Sequence, residues 1–223
     1  MDRLFDIAPG EVETLGIGPS TFVSMSNLPK DVGKQFDTID EEIRRSNFTS
    51  AEKYNDKLVG HIKKEFEVPK HLQANNIKSF LVWLAGCTVS NDPSLKTLFA
   101  GIEYVPVSEL LDLDNMWINY MQKHEFNPVH NHTGLLSWVV WNKIPFNIED
   151  EMKVFPDTIN TVTSTFSFVY DAPVKHMSIP VDKYMQNYIC MFPSHLNHCV
   201  YPFYTSDDYR VSFSGNIFLK NNK

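Results

Sequence analysis

Past Gly101 the chain loses any helical period. Short runs rich in aromatic and β-branched residues alternate with Pro, Asn, Asp and Gly, giving β-prone stretches at 102–107, 114–122, 127–132, 135–142, 164–170, 186–192, 197–203 and 209–219. About eight short strands in roughly 115 residues, with no helical crossovers between them, predict an antiparallel sandwich or barrel, not a βαβ sheet. The stretch 135–142 is apolar at successive positions, so both of its faces need cover. The first half of the chain is the source of that cover.

Residues 1–30 hold turn formers (Pro9-Gly10, Gly16, Gly18-Pro19) around a β-prone run, Thr21-Phe22-Val23, and read as an irregular lead-in that ends in an edge strand. Phe36, Ile39 and Ile43 recur three and four apart, which predicts an amphipathic helix up to Ser46. Thr49-x-x-Glu52 has the capping-box pattern, and Tyr54, Leu58, Ile62 and Phe66 follow every four residues, predicting a second helix that Pro69 ends. A third helix is expected around Ile77, Phe80, Leu81 and Leu84, closed by Gly86, with a short fourth after Pro93. His61 and His71 fall on these helices as packing or surface residues. The expected organisation is α+β but mainly β. Residues 1–112 form a lead-in and helical layer, packed on a core at 113–223 with which they make one structural unit.

Composition closes off several function classes. With 43% hydrophobic and 21% charged residues in 223, the chain can bury a sizeable core and is not disordered. A net charge of −7 argues against a nucleic-acid backbone as the main partner. No apolar run reaches the length of a membrane span. The start, Met1-Asp2-Arg3-Leu4, carries no signal segment, and Cys87, Cys190 and Cys199 show no C-x-x-C pairing. Together these predict a cytoplasmic protein with reduced thiols.

The chemistry centres on His130-Asn131-His132. Side chains two apart on a strand face the same way, so the two imidazoles can share one metal ion if a third ligand arrives from elsewhere. A candidate lies in Phe192-Pro193-Ser194-His195-Leu196-Asn197-His198. Taken alone, such a pair is as readily two surface histidines on an ordinary strand. The last strand alternates Arg210, Ser212, Ser214 and Asn216 with Val211, Phe213, Gly215 and Ile217. A row of guanidinium and hydroxyl groups suits a carboxylate, since the guanidinium forks it and serine adds a donor. Trp117, Asn119 and Met121 share the face of an earlier strand, where an Asn can donate and accept towards a small ligand. The acidic excursion at 143–163 reads as surface or as a lid.

Trp117-x-Asn119, His130-x-His132, then Phe192-Pro193-Ser194 with His198, then Arg210-x-Ser212 about a dozen residues later, resembles the 2-oxoglutarate- and Fe(II)-dependent oxygenases. Within them the pattern is most similar to small members common in marine phage and bacterial genomes, so the cytoplasm of a host is the expected location if the chain is phage-encoded. The resemblance covers roughly residues 113–219. It implies a double-stranded β-helix, or jelly roll, that uses Fe(II), 2-oxoglutarate and O2 to hydroxylate a primary substrate, releasing succinate and CO2. It makes His130 and His198 iron ligands, gives Arg210 and Ser212 the distal carboxylate of 2-oxoglutarate, and brings Asn119 to the cosubstrate. The wider superfamily has a carboxylate where this chain has His132. That leaves His132 either as the third ligand of a three-histidine site or in support of the others. His195 is expected at the surface or beside the ligands. Two rival classes are a cupin-like three-histidine enzyme that does not use 2-oxoglutarate, which gives Arg210 and Ser212 no task, and a non-enzymatic jelly roll.

Overall fold

The computed structural model describes residues 7–17, 21–100, 106–158, 162–170 and 175–220. Two strands, β1 (Val12–Gly16) and β2 (Phe22–Asn27), pair antiparallel before the first helix. Helix α1 (Lys30–Arg45) buries Val32, Phe36, Ile39 and Ile43 along the stripe that their spacing predicts. Asp31 in its first turn and Arg44 and Arg45 in its last complement the helix dipole.

The second predicted helix does not form. Residues 49–66 make an irregular excursion with one 3-10 turn, ending in the short strand β3 (Glu65–Glu67). The four-residue spacing misleads because its members go to different places. Ile62 is buried between the two sheets, whereas Phe66 is buried under the helices. Tyr54 stacks on Trp117, with centroids 5.8 Å apart. His61 consequently lies on no helix and packs on the Phe126 ring.

Helix α2 (Asn75–Asn91) does not stop at Gly86 as expected but runs another turn, because Thr88 and Val89 still have a surface to cover. Thr88 Oγ1 donates to Ser24 Oγ of β2 at 2.9 Å. Asp92 then caps α3 (Pro93–Thr97) by accepting the Leu95 N–H, while its other oxygen accepts the Phe22 N–H at 3.0 Å. One carboxylate thus starts a helix and fastens the helical layer to the sheet.

The remaining elements are β4 (Leu111–Met121), β5 (Asn127–His130), β6 (Leu136–Lys143), α4 (Ile148–Met152), β7 (Thr165–Tyr170), β8 (Lys175–Pro180), β9 (Tyr188–Pro193), β10 (Asn197–Val200) and β11 (Arg210–Leu219). They complete a seven-stranded sheet, ordered β1-β2-β9-β6-β11-β4-β3, and a four-stranded sheet, β5-β10-β7-β8, with antiparallel pairing throughout. The jelly-roll architecture is the expected one. Strand β2 is not an edge, since β1 and β9 flank it. Strands β1, β3 and β8 have no counterpart among the predicted runs. The expected strand at 102–107 lies mostly outside the described residues, and Val107 opens a 3-10 turn.

The core has two parts. One lies between the large sheet and the helices, around Phe36, Leu81, Trp138 and Phe213. The other lies between the sheets, around Trp141, Phe166, Phe168 and Phe192. Strand β6 feeds both, with Trp138 and Val140 on the helix side and Val139 and Trp141 between the sheets, as its apolar run requires. A Cβ at Gly215 would stand 2.7 Å from Trp138 Cζ2 and 2.8 Å from the Asn115 carbonyl oxygen, so the tryptophan depends on that glycine. Among the described residues no helix is long and apolar enough to cross a membrane.

Candidate metal centre

The antiparallel register of β5 and β10 places His130 directly opposite His198. Their ring centroids are 4.3 Å apart. His132 lies two residues past the end of β5, where its backbone N–H donates to the Ser194 carbonyl at 2.9 Å. That bond brings its ring to 5.0 Å from His130 and 5.1 Å from His198. One ligating nitrogen from each histidine can be chosen so that all three lie within 4.8 Å of one another. The set that the sequence pointed to is therefore assembled. His195 is exposed, as expected.

Charge and tautomer favour metal ligation. His198 Nδ1 is 3.1 Å from the Leu196 carbonyl oxygen, and His130 Nδ1 is 2.7 Å from that of Pro128. A carbonyl only accepts, so both rings carry their proton on Nδ1 and keep a lone pair on Nε2. Burial lowers the pKa of all three: His132 falls to about 4, with a smaller contribution from His130, and His198 falls well below the usual value. At neutral pH the cluster is three uncharged imidazoles, the form that binds a divalent ion. Phe166, Phe168 and Phe192 surround His198 and fix its ring.

The histidines line a cavity of about 110 Å³ whose other side is the large sheet. Register puts Asn119 opposite Ser212, and Met121 opposite Arg210, on the face that looks into the sandwich. Asn119, Ser212 and Ser214 line the cavity itself; Arg210 does not, and lies one step further along the same face. It is 3% exposed. Its Nη2 donates to the Met121 sulfur at 2.7 Å, its plane lies near the Phe203 ring, and its Nη1 has no acceptor. Burial lowers its pKa to about 10, against a rise from the charge of Glu151, so it stays cationic at neutral pH.

Glu151 belongs to the excursion read as surface or as a lid; it is fully buried and accepts from the backbone N–H groups of Tyr204 and Thr205, each at 2.8 Å. It ties down the segment that carries Phe203. Glu65 has the closest bearing on the cavity among residues the pattern missed. Strand β3 sets it beside Asn119, where it lines the cavity at 1% exposure. Burial and the charge of Glu125 push its pKa up to about 7, partly offset by the Asn55 N–H. Gly60, inside the predicted helix, was the one signal against that helix and hence for this wall.

Sandwich, histidine triad and nearby guanidinium make a jelly roll with a candidate metal centre. Residues 115–216 match the profile of the family described as "Putative 2OG-Fe(II) oxygenase". That segment is a little under half of the chain and holds all the candidate metal and cosubstrate residues; it is the segment that matches 2-oxoglutarate- and Fe(II)-dependent oxygenases, enzymes whose cofactors are Fe(II) and 2-oxoglutarate. The fold is similar to that of a prolyl-4-hydroxylase from Pseudomonas putida, with 14% identity, a TM-score of 0.56, and coverage of 89% of this chain and 92% of that one. It is also similar to AviO1 from Streptomyces viridochromogenes, with 8% identity, a TM-score of 0.53, and 90% of each chain covered. No curated protein sequence matches the chain.

The residues present fit both cofactors. Three neutral imidazoles leave open positions on a six-coordinate ion, and the buried, half-unpartnered guanidinium of Arg210 lacks an anion.

Proposed function

We propose that His130, His132 and His198 together hold Fe(II), and that Arg210, with Ser212 and Asn119, receives 2-oxoglutarate. The observation that carries this is the three-imidazole cluster, facing a sheet whose polar row leads to a buried guanidinium short of one acceptor. Arg210 and Ser212 stand roughly 7 Å apart along the strand, within reach of one carboxylate. The reaction supplied by the bound cofactors is oxidative decarboxylation of 2-oxoglutarate to succinate and CO2, coupled to hydroxylation of a primary substrate. Residues 113–223 carry that chemistry, and residues 1–112 pack on them as part of one structural unit.

The protein's own contributions are binding and exclusion. Nδ1–H bonds to Leu196 and Pro128 hold two imidazoles with Nε2 free. Arg210 supplies a charge that does not deprotonate at neutral pH. Phe166 and Phe192 keep the histidine side of the cavity apolar. Three histidines give a more positive site than two histidines and a carboxylate, so Fe(II) retention should depend strongly on bound 2-oxoglutarate.

Anaerobic protein loaded with Fe(II) and 2-oxoglutarate should show the weak visible charge-transfer band of a chelated keto acid, and should form succinate in air. A fully iron-loaded protein with neither would overturn the assignment.

A further inference from the structure

The cavity is short of hydrogen-bond donors in a way that the cofactors do not repair. Glu65 Oε2 accepts the Asn55 side-chain N–H at 3.0 Å, but Glu65 Oε1 is buried without a partner, and so is Asn127 Oδ1. Both oxygens converge beside Gly60: a Cβ built there would lie 2.8 Å from Glu65 Oε1 and closer still to Asn127 Oδ1. The nearby cation on this wall, Lys57, sits over the Tyr54 ring at 4.6 Å. Among the described residues no lysine or arginine forms an ion pair with Glu65. Glu125 is already occupied, accepting the backbone N–H groups of Lys63 and Gln122.

2-Oxoglutarate carries only acceptors at neutral pH, so it cannot answer a carboxylate oxygen. When ionised, Glu65 with one open valence calls for a donor, and best for a charged one, which also offsets the burial and the Glu125 charge that otherwise push the carboxyl towards its protonated form. On the segment that carries Gly60 the lining includes the aliphatic Leu58 and Val59, beside Lys57. We propose that Glu65 and Asn127 form the substrate-recognition wall of this oxygenase, and that the primary substrate presents a cationic nitrogen, an ammonium or guanidinium, on an aliphatic arm. The charged head sits between Glu65 Oε1 and Asn127 Oδ1, and the arm runs along Leu58 and Val59. The inference rests on the oxygenase assignment above.

The test uses matched pairs that differ in charge but little in shape: L-lysine and L-norleucine, L-arginine and L-citrulline, putrescine and 1,4-butanediol. Each is added to the Fe(II)- and 2-oxoglutarate-loaded protein, and the rate of succinate formation is measured. In at least one pair the cationic member should raise that rate over its neutral partner by roughly tenfold or more, the worth of one charge-assisted hydrogen bond. Glu65→Gln keeps the shape and removes the charge, so the preference should fall to near one while the anaerobic charge-transfer band is retained. Neutral members that stimulate equally, no stimulation by any compound, or a Glu65→Gln variant that keeps the preference would each overturn the inference. These outcomes need a wild type that shows the band. Absence of both band and succinate in the wild type instead removes the oxygenase assignment, and this inference with it. The wild-type pairs decide the matter even if the variant fails to fold.

Discussion

The two walls of the cavity are finished to different degrees. On the four-stranded sheet, His130 and His198 have their second nitrogens bonded to backbone carbonyls, at 2.7 and 3.1 Å, and aromatic rings pack His198 in place. On the seven-stranded sheet, Asn119 Oδ1 and Glu65 Oε1 are buried with no partner, as is Arg210 Nη1 further along the same face; on the four-stranded sheet the exception is Asn127 Oδ1, at the start of β5. Each such group costs on the order of 1–3 kcal/mol of stability. The difference separates a resident occupant from passing ones. A site for a metal that stays can be completed by the protein, leaving only the ligand lone pairs open. A site for molecules that arrive and leave with every turnover must keep polar valences open, and the fold carries that cost.

The largest effects should come from the finished wall. His130→Ala and His198→Ala should each abolish stoichiometric Fe(II) binding, measured by elemental analysis after anaerobic loading, because each would remove one of the three proposed ligands. His132→Ala should do the same, and His132→Asp should restore binding. A His132→Ala protein that loses only about ten- to a hundredfold in affinity would move that residue out of the ligand set. Full iron occupancy in the His198→Ala protein would erase the contrast between the walls.

Next comes the open wall. On the proposed reading, Arg210→Ala would leave the bound carboxylate without its charged partner, a loss of roughly 3–5 kcal/mol. Binding of 2-oxoglutarate, titrated anaerobically, should weaken by several hundredfold or more, with Fe(II) binding nearly unchanged. Equal loss of metal and cosubstrate would show that the two walls do not act separately.

How much of this was legible depended on whether local period and tertiary placement agreed. Along β11 they agree: one face meets the helices and the other the sandwich interior, so the alternation of Arg210, Ser212 and Ser214 with Val211 and Phe213 announced the polar row. For the histidines they agree only in part: register sets His130 against His198, but His132 lies past the end of β5, so its bond to Ser194 and not the expected strand alternation brings it to the other two. Between Tyr54 and Phe66 they conflict. The four apolar residues at helical spacing go to two separate cores, one aromatic stack and the cavity lining, which no local pattern encodes. Glu65 was hidden by that error, as was β3. Strand β8 is a six-residue edge strand that follows four undescribed residues, and its run, Lys175-His176-Met177-Ser178-Ile179-Pro180, is too polar to stand out.

A smaller effect tests the support beneath the open wall. Glu151 does not line the cavity, yet it anchors Tyr204 and Thr205 and its charge stabilises the cationic form of Arg210. Glu151→Gln should cost about 1–3 kcal/mol in chemical denaturation. It should weaken 2-oxoglutarate by about tenfold at most, because Glu151 acts only through Arg210, and leave Fe(II) alone.

The smallest effect should come from Ser212. Its hydroxyl accepts from Asn119 Nδ2 at 3.4 Å, near the long limit for a hydrogen bond, so little is lost inside the protein when it is removed. Ser212 is half-buried beside the cavity, and a hydroxyl there adds one neutral donor to a carboxylate that Arg210 already holds. A bond of that kind contributes about 0.5–1.5 kcal/mol. Ser212→Ala should therefore weaken 2-oxoglutarate by roughly three- to tenfold with the melting temperature nearly unchanged. A loss as large as that of Arg210→Ala would mean that the hydroxyl, and not the guanidinium, is the principal anchor. No loss at all would place the distal carboxylate beyond Ser212, nearer Phe203, and would leave Arg210 to hold it alone.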